Sequence, residues 1–245
     1  MKKFYVIFLL CFLIIIVVNC RHKAASNNFV VLWKDSQINY LIDEVSKDSL
    51  KIRIKALQDF NTRYTHEKQI EAADYIYNLL KKQNLDVRYQ DYDWKDKSYK
   101  NVEVVLPGNK NPDKYFVIGA HYDSKSENPE KSAPGADDNG SGVAALLELA
   151  RIIKNYDMSN TIRIVFFSNE EQGLHGSASY VKYLKGLAGH YLGGIIVDMI
   201  GYCNENRNLD IATIPEFKWL AVTANEILQV YNITSVDLKI DKHCT

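Results

Sequence analysis

Apolar residues recur at two different spacings along this chain, and the change from one to the other divides it. Ile38, Leu41, Ile42 and Val45 repeat at helical spacing, as do Ile54, Leu57 and Phe60, so helices are predicted over 36–46 and 49–60. A longer stripe of Ile70, Ala73, Ile76, Tyr77 and Leu80 runs through 66–83 with no glycine or proline inside, which predicts a third helix with a core-facing side. Two short β-rich runs follow at 87–92 and 102–106, the second closed by Pro107-Gly108, and they read as a hairpin or an edge pair.

From Tyr115 onward, continuous apolar runs alternate with amphipathic ones. Strands are predicted over 115–120, 162–167, 194–197, 209–212 and 236–240, and helices over 143–153, 177–184 and 216–230. Val143, Leu146, Leu147, Ala150 and Ile153 mark the inner face of the first of these helices. Such alternation predicts an α/β fold, a mostly parallel central sheet with helices on both faces. Ligands of these sheets bind outside the carboxyl ends of the strands. His121 falls at the end of one predicted strand, Glu170 and Glu171 just beyond the second, and Asp198 just beyond the third. Between the first strand and its helix lies G-A-H-Y-D-S-K-S-E-N-P-E-K-S-A-P-G-A-D-D-N-G-S-G, a turn-rich loop holding a histidine and several acids.

Composition changes this picture little. The chain has 245 residues, 47% hydrophobic and 24% charged, enough for one domain with a substantial core. Thirty basic residues balance thirty acidic ones, so no overall field favours nucleic acid, which is excluded as a partner. The amino terminus stands apart. Lys2 and Lys3 precede the apolar run 4–18, which has the layout of an export signal and falls short of the ~20 residues that span a bilayer comfortably. Residues 1–20 therefore read as a signal segment, 21–35 as a tether, and 36–245 as the domain. Val17-Val18-Asn19-Cys20 also resembles a lipoprotein processing site, which allows membrane attachment through a lipidated Cys20 as an alternative to simple cleavage or an uncleaved anchor. Of the four cysteines, Cys203 and Cys244 remain once this segment is set aside, and an oxidising compartment permits them to pair. They lack the C-x-x-C spacing of a thiolate metal site.

Imidazole and carboxylates without thiolate suit zinc, and a shared carboxylate could bridge two ions ~3.5–4 Å apart. A salt-bridged polar cluster would need basic partners, and these stretches hold almost none. His175 lies near the acids in sequence, but its glycine neighbours place it in a surface turn. G-A-H-Y-D-S, P-G-A-D-D-N-G-S-G, F-S-N-E-E-Q-G-L-H-G-S and V-D-M-I-G-Y resemble the motifs of the zinc-dependent exopeptidases, which include the bacterial leucyl aminopeptidases with two co-catalytic zincs. Glutamate carboxypeptidase and glutaminyl cyclase are related to them. The likeness runs from about Leu57 to the end of the chain and implies a three-layer zinc exopeptidase sandwich.

It further implies that His121 and Asp198 bind one zinc, that Asp137 bridges, and that Glu171 binds the other. Glu170 becomes the general base that acts with a metal-activated water, Asp123 orients the His121 ring, and Asp138 shapes the backbone after the bridge. The family closes its second zinc site with a histidine in a later Ser-Asp-His motif, whereas this chain ends D-K-H-C-T. The second site is thus expected to be incomplete through truncation, with replacement by His243 as the alternative. The implied function is an exported aminopeptidase acting on peptides. A glutaminyl cyclase-like transferase and a non-catalytic binding module of the same fold are the competing readings.

Overall fold

Each central strand is buried on both sides, and its alternate side chains meet different helices. In the computed structural model, which describes residues 36–202, 209–231 and 236–240, the odd-numbered Tyr115 and Val117 pack with Val165 and Phe167 against Tyr180, Tyr183 and Leu184. The last three belong to α5 (His175–Gly186). The even-numbered positions, among them Ile118, Ile164 and Phe166, are fully buried on the opposite face. There α3 (His66–Lys81) lies against β2 (Lys97–Leu106), and α4 (Gly140–Ile153) lies against β3 (Asn111–His121) and β4 (Asn160–Phe167). The result is the three-layer α/β arrangement expected from the sequence.

The main sheet has five strands in the order β1-β2-β4-β3-β5, with β1 spanning Val87–Trp94 and β5 His190–Ile196. Strands β4, β3 and β5 are mutually parallel. Strand β2 runs against both β1 and β4, so the sheet is mixed where a mostly parallel one was expected. The cause is the β1–β2 hairpin, which returns through Lys95 and Asp96, both at positive φ as a two-residue turn requires.

The described residues fall into two compact units, and this sheet belongs to the unit Ser46–Gly201. The other unit contains α1 (Ser36–Asp43), where Ile38 and Leu41 are buried. It also holds β6 (Leu209–Thr213) and β7 (Val236–Ile240), a separate parallel pair with α6 (Lys218–Val230) between them in sequence. Leu220, Ala221, Ala224, Ile227 and Leu228 form the buried face of α6, and Pro215 opens the short 3-10 turn before it. No helix among the described residues is long and apolar enough to cross a membrane. The predicted signal segment, the tether, His243 and the Cys203–Cys244 pair all lie outside the described residues.

Helix α4 is buried almost all round, yet it carries Glu148 at zero exposure. That carboxylate accepts from the Ser46 N–H and the Ser49 hydroxyl, both at 2.9 Å, and so caps the start of α2 (Lys47–Gln58). Arg151 meets it at 2.8 Å and Arg53 at 3.7 Å. Burial pushes the Glu148 carboxyl upward, but Arg151, the Ser46 N–H and the Ser49 hydroxyl outweigh it and hold the group below the usual glutamate range. A depressed folded-state pKa gives stability that is present above the unfolded value and is lost as pH falls. Glu148→Ala is therefore expected to cost about 3 kcal/mol at neutral pH by urea denaturation. That difference should shrink once pH drops below about 4.3, the ordinary glutamate value.

Candidate metal centre

Strand register brings the candidate residues together. His121 pairs with Phe167 of β4, and Gly119 pairs with Ile196 of β5, so β3 sits between the two strands whose ends lead to Glu170 and Asp198. The Val197 N–H extends that register by donating to the Gly119 carbonyl at 2.8 Å. Asn139 then locks α4 to the same edge. Its side-chain oxygen caps the Gly142 N–H at 2.9 Å while its amide donates to the Val197 carbonyl at 2.8 Å.

Within this frame His121 Nε2 stands 3.2 Å from Asp138 Oδ1, 3.4 Å from Asp198 Oδ1 and 3.9 Å from Glu170 Oε2. One ligand atom from each of His121, Asp138 and Asp198 lies within 4.8 Å of the others. Glu171 is close enough to this group that its carboxyl and that of Asp138 act on each other electrostatically. The imidazole is buried, whereas the Asp138 and Asp198 side chains are 42% and 50% exposed, so the cluster has a closed floor and an open rim. On the far side of the ring, Nδ1 lies 3.2 Å from the Asp123 carbonyl and 3.5 Å from its carboxylate. Two oxygens there favour a proton on Nδ1, so a cation entering between the acids would displace only the Nε2 proton.

The structure moves one expected residue. Asp137 is not the carboxylate that faces His121; Asp138 is. Asp137 turns to the opposite side, where its Oδ1 accepts from the Gly201 N–H at 2.6 Å and its carbonyl from the Ser141 hydroxyl at 2.7 Å. In this way it fixes the segment just after Asp198. Adjacent residues in a turn point apart, so only one of the pair can face the cluster. Asp138, and not Asp137 as expected from sequence, is therefore the carboxylate that the structure places with His121 and Asp198.

Asp123 is fully buried, and its carboxylate has a second task beside the ring. Its two oxygens accept the Glu170 and Glu171 N–H groups at 3.0 and 3.1 Å. The electrostatics follow from crowding. Burial pushes the Glu171 carboxyl up to about 7, helped by repulsion from Asp138 and Glu170. Burial also raises Glu170, while the His121 hydrogen bond holds Asp138 below its usual value. Burial alone would lower His121, yet Asp123, Asp138 and Asp198 together push it up to about 12. Among the described residues, the basic partners of these acids are His121 itself and Lys125, 4.0 Å from Glu171. One imidazole and several carboxylates that outnumber the cations around them fit a divalent cation with nitrogen and oxygen ligands.

Residues 101–233 match peptidase family M28. The chain belongs to that family. A "Probable zinc metalloprotease" of Pyrenophora teres f. teres is 30% identical over 194 residues, covering 68% of this chain and 41% of the relative. A "Probable leucine aminopeptidase" of Arthroderma otae is 28% identical over 209 residues, covering 80% and 56%. The chain thus spans about half the length of the curated relatives it matches. In fold it resembles LapB from Legionella pneumophila, with a TM-score of 0.73 and 22% identity over 89% of this chain and 66% of that one. It also resembles a glutaminyl cyclase of Bacteroides thetaiotaomicron, with a TM-score of 0.63 and 20% identity over 80% and 77%.

Sequence reading missed the residues that brace this M28 site from behind. Arg63 is fully buried, and its guanidinium donates to four carbonyls, those of Leu57, Tyr122, Pro134 and Gly135, at 2.7 to 2.9 Å. Burial pulls its pKa down to about 10 against Asp123 and Asp138, so it remains a cation at neutral pH. Gly135, at φ +49, leaves no room for a side chain beside Ser124 and Arg63. His175 is not a free surface residue either: it stacks on Trp94 with ring centroids 4.5 Å apart and meets the Gln172 carbonyl at 3.0 Å.

Asp138→Ala is expected to weaken zinc binding by more than ~100-fold, while Asp137→Ala, which removes only an orienting contact, should cost ~10–100-fold. Chelator competition on both variants would check this order, and the reverse order would restore Asp137 to the bridging position.

Proposed function

We propose that the chain is an exported zinc aminopeptidase that removes N-terminal residues from peptides. The observation that carries this reading is the cluster of His121, Asp138 and Asp198 at the carboxyl edge of three parallel strands, with Glu170 beside it. Asp138 faces His121 and Asp198 and also acts electrostatically on Glu171, which suits it to serve two ions. Membership of M28 and the names of the relatives support zinc and peptide hydrolysis. Export rests on the leader-like segment 1–20, and Cys20 is the candidate for a lipid anchor. The likeness to a glutaminyl cyclase is one of fold alone.

Zinc, when bound, acts as a Lewis acid on the scissile carbonyl and makes a nearby water acidic near neutral pH. The protein's own residues do the rest. Asp123 holds the His121 ring and, through the two N–H bonds, sets where Glu170 and Glu171 leave the backbone. Glu170 is 34% exposed, so its carboxylate can meet both solvent and substrate. Its raised pKa suits an acid-base group, which takes a proton from the attacking water and returns it to the leaving amine. The C–N bond breaks as that nitrogen is protonated, and Glu170 is regenerated.

Glu170→Gln is expected to retain zinc but to lose at least ~100-fold in kcat on leucyl peptide substrates, since such groups contribute roughly 10² to 10⁴. Cyclisation of an N-terminal glutamine peptide should be undetectable in the same preparation. Near-normal turnover in Glu170→Gln with metal retained would refute the assignment, and cyclisation without hydrolysis would move the chain to the transferase branch.

A further inference from the structure

The turn that carries Glu170 and Glu171 does not hold itself. Asn169, the residue before them, is fully buried and sits in the left-handed region at φ +50. Asparagine tolerates that region better than most residues, but such a backbone persists only where its surroundings fix it. Those surroundings come mainly from one side chain on α3, Gln69, which has zero exposure. Gln69 Oε1 accepts the Asn169 N–H at 3.1 Å, and Gln69 Nε2 donates to Asn169 Oδ1 at 2.8 Å. The other hydrogen of that amide goes to the Tyr64 carbonyl at 3.0 Å. Gln172 reaches the same two oxygens, Asn169 Oδ1 at 3.2 Å and the Tyr64 carbonyl at 3.0 Å, and the Asn169 amide donates to the Tyr92 hydroxyl at 3.1 Å.

We propose that Gln69 is a positioning residue for the metal centre, a two-point amide clamp that imposes the left-handed turn at Asn169 and so aims Glu170 and Glu171. The chain of contacts is continuous. Gln69 fixes the Asn169 backbone, and the next two N–H groups are fixed in turn by the Asp123 carboxylate beside His121. Gripped from both sides, the two glutamates leave the turn in set directions. Gln69 touches no reacting atom, so its effect is on placement and belongs to kcat and metal affinity more than to KM. The inference rests on the peptidase reading above, but the clamp itself is read independently of activity.

The test compares the wild-type chain with Gln69→Leu, Gln69→Glu and the double variant Gln69→Leu/Asn169→Gly. Glycine adopts positive φ without help and carries no amide to be orphaned, so the double variant should recover what the clamp supplies. For Gln69→Leu, kcat on a leucyl peptide is expected to fall at least ~10-fold with KM within ~3-fold, and metal affinity to fall ~10-fold. Substituted cobalt should show an altered visible spectrum, and the Glu170 and Glu171 amides should exchange hydrogen faster even in metal-free protein. The double variant should return within ~3-fold of wild type on each measure. If Gln69→Leu does not fold by circular dichroism, Gln69→Glu, nearly isosteric but lacking the two N–H donations, carries the same readouts and the same expected losses. A folded Gln69 variant with the wild-type cobalt spectrum and exchange rates would overturn the proposal. So would losses in Gln69→Leu that Asn169→Gly fails to restore, since these would mark Gln69 as a plain anchor for α3. Absence of hydrolysis in the wild-type chain would refute the peptidase reading, and the spectrum and exchange rates would still decide the clamp.

Discussion

The arrangement of this molecule's acidic edge depends on one carboxylate that takes no direct place in it. Asp123 is fully buried and spends both oxygens on consecutive backbone N–H groups, those of Glu170 and Glu171, while standing beside the His121 ring. It thereby connects the end of β3 to the turn beyond β4, two segments separated by 47 residues along the chain. Hydrogen bonds to a charged acceptor are roughly twice as strong as neutral ones, and here they act where water does not compete. The imidazole and the two glutamates consequently share one reference point. A shift of either segment would misplace both halves of the site.

Parallel pairing supplies the other half of the frame. Because β3 runs between β4 and β5 in the same direction, three strand ends open on one side, and functional groups from distant parts of the sequence arrive within a few ångströms. The hairpin β1–β2 adds antiparallel strands to the opposite edge without disturbing that arrangement, since of the three parallel strands β2 pairs only with β4. Asn139 and Asp137 complete the frame by tying α4 and the loop before it to the β5 end and the segment beyond it. Much of what surrounds the cluster is thus concerned with orientation.

A good part of this was legible before any coordinates. Apolar runs that stop in acid marked the three strand ends, and the stripes at Ile70–Leu80 and Val143–Ile153 marked helices that are buried as expected. The hairpin strands proved longer than their β-rich cores because the turn residues Lys95 and Asp96 lack the usual asparagine-glycine signal. The choice between Asp137 and Asp138 could not be made from adjacent identical residues, because it depends on which way the backbone turns after Gly135. The clamp at Gln69 was hidden for a different reason. A glutamine in the first turn of a helix reads as solvated, and nothing in the pattern announces that its partner lies 100 residues away. Separation into β6–β7 was equally invisible, since a strand's own composition does not name its neighbour.

Arg63 gives the loop a property that the acids alone would deny it. The guanidinium fastens Tyr122, Pro134 and Gly135 to the end of α2 at Leu57 through neutral carbonyls, so its positive charge is not spent on any single carboxylate. Small metal-organised domains collapse when the ion leaves, because the ion is the only thing that gathers their ligands. Here a covalently attached cation gathers the loop, and an exchangeable one has only to enter. A loop fastened in this way keeps its shape through bonds that the chain itself supplies, whatever occupies the seat in front of it.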